Sequence, residues 1–169
     1  MRTMTTVTRL RFATIDLERD AGTCIAFRRD MYVTAFGTDA GLDAEMGVAG
    51  ARYLAQLRER IGQVPDGNTH LWDGDRIVGQ TEVRLLEDEP DVGYVSLFYV
   101  APEARGRGLA RVMYEHVASV FRRRGMRRLR LSVSPTNAHA LASYRKLGWV
   151  RVGERAHPMG TMHVMEHTL

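Results

Sequence analysis

Apolar residues recur at helical spacing in three long stretches of the chain. In the first, Cys24, Phe27, Met31 and Ala35 lie three or four residues apart and predict a helix over residues 16–36. Similar spacing predicts helices over residues 48–62, about 107–124 and, for a shorter segment, 137–148. The segment between the first two helices is rich in Gly and Asp, and we expect an irregular turn there.

Shorter runs of apolar or alternating residues predict strands. These runs cover residues 6–14, 69–73, 76–86, 93–101, 127–134, 149–154 and 161–168. The run GYVSLFYVA is almost entirely apolar or aromatic, which is typical of a central strand covered on both faces. With no internal repeat and no long linker, the order of elements predicts one mixed α/β domain over residues 1–169.

The composition is that of an ordinary globular protein. The chain has 169 residues, of which 44% are hydrophobic and 26% are charged. No window approaches the roughly 18 consecutive apolar residues of a membrane span, and the first twenty residues have no continuous apolar core of a signal peptide. Cys24 is the only cysteine, which excludes an internal disulfide and a Cys-x-x-Cys site. We therefore expect a cytoplasmic protein that binds no membrane.

Charge is divided unevenly along the chain. Residues 1–90 hold 11 basic and 15 acidic side chains, a balance of −4, whereas residues 91–169 hold 13 basic and 5 acidic side chains, a balance of +8. This asymmetry predicts an anionic partner on the C-terminal half.

The segment APEARGRGLAR, residues 101–111, joins the central strand to the next helix. The first turn of a helix has unpaired backbone N–H groups, and glycines let an anion approach them closely. The phosphate-binding pattern G-x-x-x-x-G-K-[ST] and the dinucleotide pattern G-x-G-x-x-G are both missing here. Arg105, Gly108 and Ala110 fit R-x-x-G-x-A, which by itself is compatible with an anion-binding loop or with a helix start that binds nothing.

A second motif lies about thirty residues further on. In SVSPTNAHALASYRKLGW the pattern N-A-x-A-x-x-x-Y-x-K-L-G-aromatic is matched by Asn137, Ala138, Ala140, Tyr144, Lys146, Leu147, Gly148 and Trp149. Together with LFYVAPEARGRGLARVMYEHV, this resembles the GNAT superfamily of N-acetyltransferases over most of residues 76–155. The resemblance implies a mixed, mostly antiparallel central sheet flanked by helices, with the coenzyme A-binding core at about 76–155.

The resemblance also implies acetyl-CoA as the acyl donor. Its pyrophosphate would lie on the N–H groups of residues 106–111, its pantetheine arm along the backbone of residues 98–100, and Asn137 would contact it from the next strand's end. The implied donor-binding residues are Phe98, Tyr99, Val100, Arg105, Gly106, Arg107, Gly108, Leu109, Ala110, Arg111 and Asn137. No metal is implied.

Two residues are predicted to act in catalysis. By its place in the motif, Tyr144 resembles the general acid that protonates the departing sulfur. Many superfamily members carry a glutamate base where this chain has Ser132, so Glu82, on a predicted internal strand, is the candidate base. The acceptor is expected to be an amine of a small molecule or a peptide. The acidic stretches DAGLDAE and EDEPD are compatible with attraction of a cationic amine and equally with solvated turns. A homodimer is compatible with the resemblance.

Three other interpretations stay open at this point. Six arginines between Arg122 and Arg130 are compatible with nucleic-acid binding, although the same run suits a helix C-terminus. The fold could also bind coenzyme A without transferring an acyl group. His157, His163 and His167 match no zinc motif, which disfavours a metal site.

Overall fold

The computed structural model describes residues 9–169, and the first strand predicted from the sequence, residues 6–14, therefore lies partly outside the described residues. The strands are β1 Leu10–Thr14, β2 Thr69–Asp73, β3 Arg76–Leu85, β4 Val92–Val100, β5 Arg128–Val133, β6 Val150–His157 and β7 Gly160–Thr168. The helices are α1 Leu17–Phe36, α2 Leu42–Met46, α3 Ala51–Gln63, α4 Leu109–Arg123 and α5 Ala138–Lys146.

Local sequence explains where the main helices begin and end. Asp16 caps α1 by accepting hydrogen bonds from the backbone N–H groups of Glu18 and Arg19, and Gly37 ends this helix in the left-handed conformation. Asn137 caps α5 in the same way through Ala140 N–H. The predicted positions of α1, α3, α4 and α5 are thus confirmed to within a few residues.

One helix was not predicted. Residues 42–46 form α2, although the surrounding Gly and Asp residues indicated an irregular turn. Leu42 and Met46 are buried in a cluster with residues of α1 and α3, so tertiary packing stabilises a helix too short to be stable alone.

Within residues 9–169 the strands form one seven-stranded sheet in the order β1-β2-β3-β4-β5-β7-β6. Neighbouring strands are antiparallel except β4 and β5, which run parallel. Helix α4 makes the connection between those two strands, as a parallel pair requires. The predicted mixed, mostly antiparallel sheet flanked by helices is confirmed.

A β-bulge interrupts β4 at Ser96. Opposite β3, Glu82 pairs with Leu97 and Val83 pairs with Val95, so Ser96 is an extra residue without a partner. Residues two apart on a regular strand share a face. Here, however, Val95 packs in the cluster of α4, whereas Leu97 packs against Phe27 of α1. The bulge thus exchanges the two faces of β4 halfway along the strand.

The bulge also marks where β4 and β5 separate. Their parallel pairing covers only Val92–Val95 of β4, which lies beside residues 128–131 of β5. From Ser96 onward β4 remains paired with β3 alone, and its other edge faces a gap. The core on the α4 side of the sheet includes Val95, Phe121, Leu129 and Trp149, all almost fully buried.

None of the helices in residues 9–169 has the length and apolar character needed to cross a membrane.

Candidate active site

The loop between β4 and α4 presents unpaired backbone N–H groups. Gly106 and Gly108 have φ values of 80° and 76°, a conformation that side chains other than glycine rarely adopt. Gly108 is the N-cap of α4 and supplies no side-chain acceptor to its first turn. In the described chain, the N–H groups of residues 106–108 donate to no backbone carbonyl. The loop therefore has free donors beside the positive end of a helix dipole, and a Cβ atom at Gly106 or Gly108 would meet no atom within 4 Å.

Two arginines of the loop are held by carboxylates of the protein itself. Arg105 donates from Nε to the carbonyl of Val100 at 3.0 Å, and its terminal nitrogen lies 2.9 Å from Asp30 Oδ2. Arg107 contacts Asp73 Oδ2 at 2.9 Å. The resemblance implied that both residues bind the donor, and in the structure their guanidinium groups fix the loop to α1, β4 and β2. Arg111 is exposed on the first turn of α4.

A cavity of about 240 Å³ lies between this loop, β4 and α5. Most of the residues predicted to bind the donor line it: Phe98, Tyr99, Val100, Arg105, Gly106, Gly108, Leu109, Ala110 and Asn137. Arg107 and Arg111, which were predicted with them, do not line this cavity. We call this space the donor cavity.

The free edge of β4 faces the donor cavity. Ala101 donates its N–H to Val78 of β3 at 2.9 Å. Because successive N–H groups of a strand point to opposite sides, those of Phe98 and Val100 point away from β3, towards the gap left by the separated strands. The backbone at residues 98–100 can therefore pair with an extended polar ligand.

A second cavity, of about 390 Å³, lies on the other side of α5's first turns and extends under α1. Tyr32 and Phe36 of α1 line it, as do Tyr94, Ser96 and Ser132 of the two separated strands. We call it the acceptor cavity. Met31, Phe98, Asn137, Ala140 and Tyr144 line both cavities and thus form the junction between them.

Tyr144 is the titratable residue of this junction. Its ring centroid lies 6.4 Å from that of Phe98 and 5.8 Å from that of Trp149. Within the described residues its hydroxyl has no protein hydrogen-bond partner, and burial raises the pKa of the phenol to about 12. The hydroxyl is therefore protonated at neutral pH and available to a group bound at the junction.

Glu82 lies outside both cavities. It has no exposed surface, and its carboxylate accepts hydrogen bonds from Tyr53 Oη at 2.5 Å, Gln80 Nε2 at 2.8 Å and Arg60 Nη1 at 3.1 Å. Burial, with the neighbouring Glu82 charge, raises the pKa of Tyr53 well above its usual range. Because its oxygens are engaged by these three side chains, the predicted base cannot contact an acceptor directly in this arrangement.

The arginine-rich run from the end of α4 to β5 is largely paired within the protein. Arg123 and Arg124 contact Asp66, while Arg128 and Arg130 contact Glu166. Arg130 also contacts Glu89, in the acidic stretch EDEPD. These pairs leave few guanidinium groups of the run without a carboxylate, which disfavours the nucleic-acid interpretation.

The histidines do not assemble a metal site. In residues 9–169 no group of three or more His, Cys, Asp or Glu side chains is arranged to hold a metal ion. His157 stacks on Phe36 with ring centroids 5.2 Å apart. The His167 ring packs against the rings of Tyr114 and Trp149.

Sequence reasoning missed the arginines of the acceptor cavity. Arg28, Arg60, Arg84 and Arg155 line it, each from a different helix or strand. With 24 basic residues in the chain, no local pattern distinguished these four from the rest.

Comparison with known proteins agrees with this geometry. The sequence model of the acetyltransferase (GNAT) family matches residues 41–149, well over half of the chain. The chain is 31% identical to the streptothricin acetyltransferase of Streptomyces lavendulae over 138 residues, which cover 81% of this chain and 67% of that protein. The chain therefore belongs to the GNAT family of acetyltransferases. Its mixed sheet, in which β4 and β5 separate beside the glycine-rich start of α4, is the fold of an acyltransferase.

Other relatives match in part. The mycothiol acetyltransferase of Geodermatophilus obscurus is 36% identical over 91 residues, covering 52% of this chain but only 30% of that protein. Among solved structures, the PaiA N-acetyltransferase of Thermoplasma acidophilum in complex with coenzyme A has a TM-score of 0.76 at 14% identity, with 95% of this chain and 99% of that chain covered. At that identity the likeness concerns the fold alone.

Proposed function

We propose that this chain transfers an acetyl group from acetyl-CoA to a primary amine, by direct attack of the amine while both substrates are bound. The observation that carries this proposal is the position of Tyr144, a residue that lines both the donor cavity and the acceptor cavity. A proton donor at such a junction is suited to a group transfer between the two cavities.

The donor cavity fits the chemistry of coenzyme A. Phosphate oxygens are strong acceptors, and the N–H groups of residues 106–108 are donors without a protein partner, in open space that a side chain at Gly106 or Gly108 would enter. The backbone of residues 98–100 offers the amide-bearing pantetheine arm a strand edge. Bound acetyl-CoA would supply an activated thioester carbonyl and a thiolate leaving group.

Residues near the junction supply the proton and the hydrogen-bond donor that the proposed reaction needs. The Tyr144 hydroxyl holds the proton that the departing sulfur takes up. The N–H of Val100, which points into the gap, is placed to donate to a developing carbonyl oxyanion. Phe98, Ala140 and Leu147 give the same region its apolar surface.

Direct attack is favoured over a covalent thioester on the protein. Cys24, the single cysteine of the chain, is fully buried, and burial raises the pKa of its thiol to about 12. A neutral, inaccessible thiol cannot take the acetyl group at neutral pH. The amine therefore reacts with the donor in a ternary complex.

Within residues 9–169 no carboxylate lines the junction, so the amine would attack as the free base, and the proton that it loses on forming the amide would return to the Tyr144 phenolate. If Glu82 were the base, it would have to receive the proton through Tyr53 or Arg60, because these side chains occupy its carboxylate oxygens. The ion pair of Glu82 with Arg60, a residue of the cavity wall, supports a positioning role instead.

Initial-rate kinetics test the proposal. Coenzyme A release from acetyl-CoA is followed with a panel of primary amines, and the acetylated amine is identified by mass spectrometry. Intersecting double-reciprocal plots are expected for a ternary complex. Parallel plots would contradict direct attack, and tight acetyl-CoA binding without any acetylated product would favour the non-catalytic coenzyme A-binding interpretation.

A further inference from the structure

The acceptor cavity has an unusual distribution of charge for an enzyme acting on amines. Four arginines line it, whereas Glu45 is its single carboxylate. Arg60 is paired with Glu82, but Arg28, Arg84 and Arg155 form no ion pair with any carboxylate of residues 9–169. A cationic acceptor without an anionic group would therefore enter a cavity of net positive charge.

Two of these arginines are held in fixed positions on the sheet. The guanidinium carbon of Arg84 lies 4.2 Å from the centre of the Tyr94 ring. The two residues are also register partners on the neighbouring strands β3 and β4. Arg155 donates from Nε to Ser132 Oγ at 2.7 Å, and the same Ser132 oxygen lies 2.7 Å from Tyr94 Oη. Tyr94 and Ser132 thus form a chain of contacts between the two guanidinium groups. The terminal nitrogens of both groups still have N–H donors available to a ligand.

These arginines are separate from the donor cavity. Arg84 and Arg155 line the acceptor cavity and the open cleft beyond it, but not the donor cavity. Beyond them the cleft is bordered by Glu87 and Asp88 of the β3–β4 turn. An anionic group would therefore be held between the junction at Tyr144 and this acidic border.

Resting on the proposed function, we propose that the acceptor is a primary amine that also carries a carboxylate or another anionic oxygen group, bound by Arg84 and Arg155. Planar guanidinium groups match the oxygens of carboxylate and phosphonate alike. The same charges disfavour purely cationic acceptors such as polyamines. This assignment differs from the expectation that acidic stretches of the sequence draw a cationic amine. Asp39 and Asp43 of the first stretch are paired with Arg29, and its third acidic residue, Glu45, faces four arginines in the acceptor cavity.

Matched probes separate charge from shape. Acetyl transfer is measured for β-alanine, aminoethylphosphonate and β-alaninamide, and for phenylalanine beside phenylalaninamide. We expect kcat/KM to be roughly 10- to 100-fold higher for each acid than for its amide, since a hydrogen bond to a charged group is involved. The carboxylate and phosphonate arms distinguish the two anionic groups.

Variants identify the residues responsible. Arg84→Gln and Arg155→Gln are expected to remove most of the preference for the acids, while Arg151→Gln, an exposed arginine of β6 outside the cavity, keeps it. Thermal stabilisation by acetyl-CoA is measured in parallel for each protein. Amides or polyamines acetylated in preference to the acids would overturn the anionic-acceptor assignment and leave the proposed function standing. If acetyl-CoA neither stabilises the protein nor acetylates any probe, the proposed function itself is wrong and this assignment is lost with it.

Discussion

Glu82 and Arg60 form an ion pair of 3.1 Å in which the carboxylate has no exposed surface and the guanidinium side chain is 16% exposed. Arg60 belongs to α3, and Glu82 to β3, so the pair joins the helical layer to the sheet. Burial lowers the pKa of Arg60, while the adjacent carboxylate opposes that shift and favours its charged form. Glu82 is therefore paired with a residue that lines the acceptor cavity.

Replacing Glu82 tests whether it is a positioning residue. Glu82→Gln leaves the largely buried Arg60 charge without its carboxylate, and we expect the free energy of unfolding to fall by about 3 kcal/mol. Glu59→Gln changes an exposed carboxylate next to Arg60 in the sequence and should change the free energy of unfolding by under about 0.5 kcal/mol. Denaturant unfolding of both variants measures these values.

The alternative role of Glu82 makes a different prediction. If Glu82 is the general base, Glu82→Gln lowers kcat at unchanged stability and unchanged KM for the amine. That combination would contradict the positioning role.

Removing the Tyr144 hydroxyl should affect the chemical step alone. Since this hydroxyl has no protein partner within residues 9–169, we expect Tyr144→Phe to lower kcat by about 100-fold or more while the acetyl-CoA dissociation constant stays within about twofold. Thermal unfolding should change little for the same reason. Steady-state kinetics and a titration with acetyl-CoA measure the two quantities, and an unchanged kcat would exclude Tyr144 as the acid.

The raised pKa of Tyr144 predicts the alkaline side of the pH profile. A general acid works while it is protonated, and burial raises the pKa of this phenol from 10.0 to about 12. Activity that depends on it should therefore show no loss at pH 10, where a phenol of ordinary pKa would already be half ionised. Measuring kcat between pH 7 and pH 10 checks this, with Tyr144→Phe as the reference profile. If kcat of the wild type fell by half near pH 10 and kcat of Tyr144→Phe did not, the pKa of the phenol would not be raised, which would contradict this prediction.

The sequence predicted local features well and long-range pairings poorly. The apolar run of β4 and the spacing of α4 identified the centre of the fold, because each depends on neighbouring residues. The pairing of Arg105 with Asp30, 75 residues away, could not be read from the chain. Nor could the burial of Glu82 under Tyr53, or the bulge at Ser96, since both depend on how helices and strands meet.

Arg105 should position the donor loop without stabilising the whole protein. Its pair with Asp30 is about 40% exposed, so we expect Arg105→Gln to cost under about 1 kcal/mol of stability. The acetyl-CoA dissociation constant, however, should rise by roughly tenfold, because the loop loses its contacts with α1 and β4. Arg76→Gln, which breaks an exposed pair with Glu103, a residue of the same loop that does not line the donor cavity, is the control and should leave that constant unchanged. Equal affinity in both variants would remove the positioning role of Arg105.

The donor site itself is tested most directly at the two ends of α4. Gly108 and Gly125 have nearly the same φ, 76° and 73°, and a side chain at either position meets no atom within 4 Å. Gly108→Glu and Gly125→Glu should therefore lose similar stability, about 1 kcal/mol or more for a left-handed residue. Only the first places a negative charge where the phosphates of acetyl-CoA would bind.

The measurement is thermal unfolding of the wild type and both variants across acetyl-CoA concentrations. Ligand at 100 times its dissociation constant stabilises a protein by about 2.7 kcal/mol. We predict this stabilisation in the wild type and in Gly125→Glu and its loss in Gly108→Glu. Equal stabilisation of all three proteins, or of none, would contradict a donor site at the start of α4.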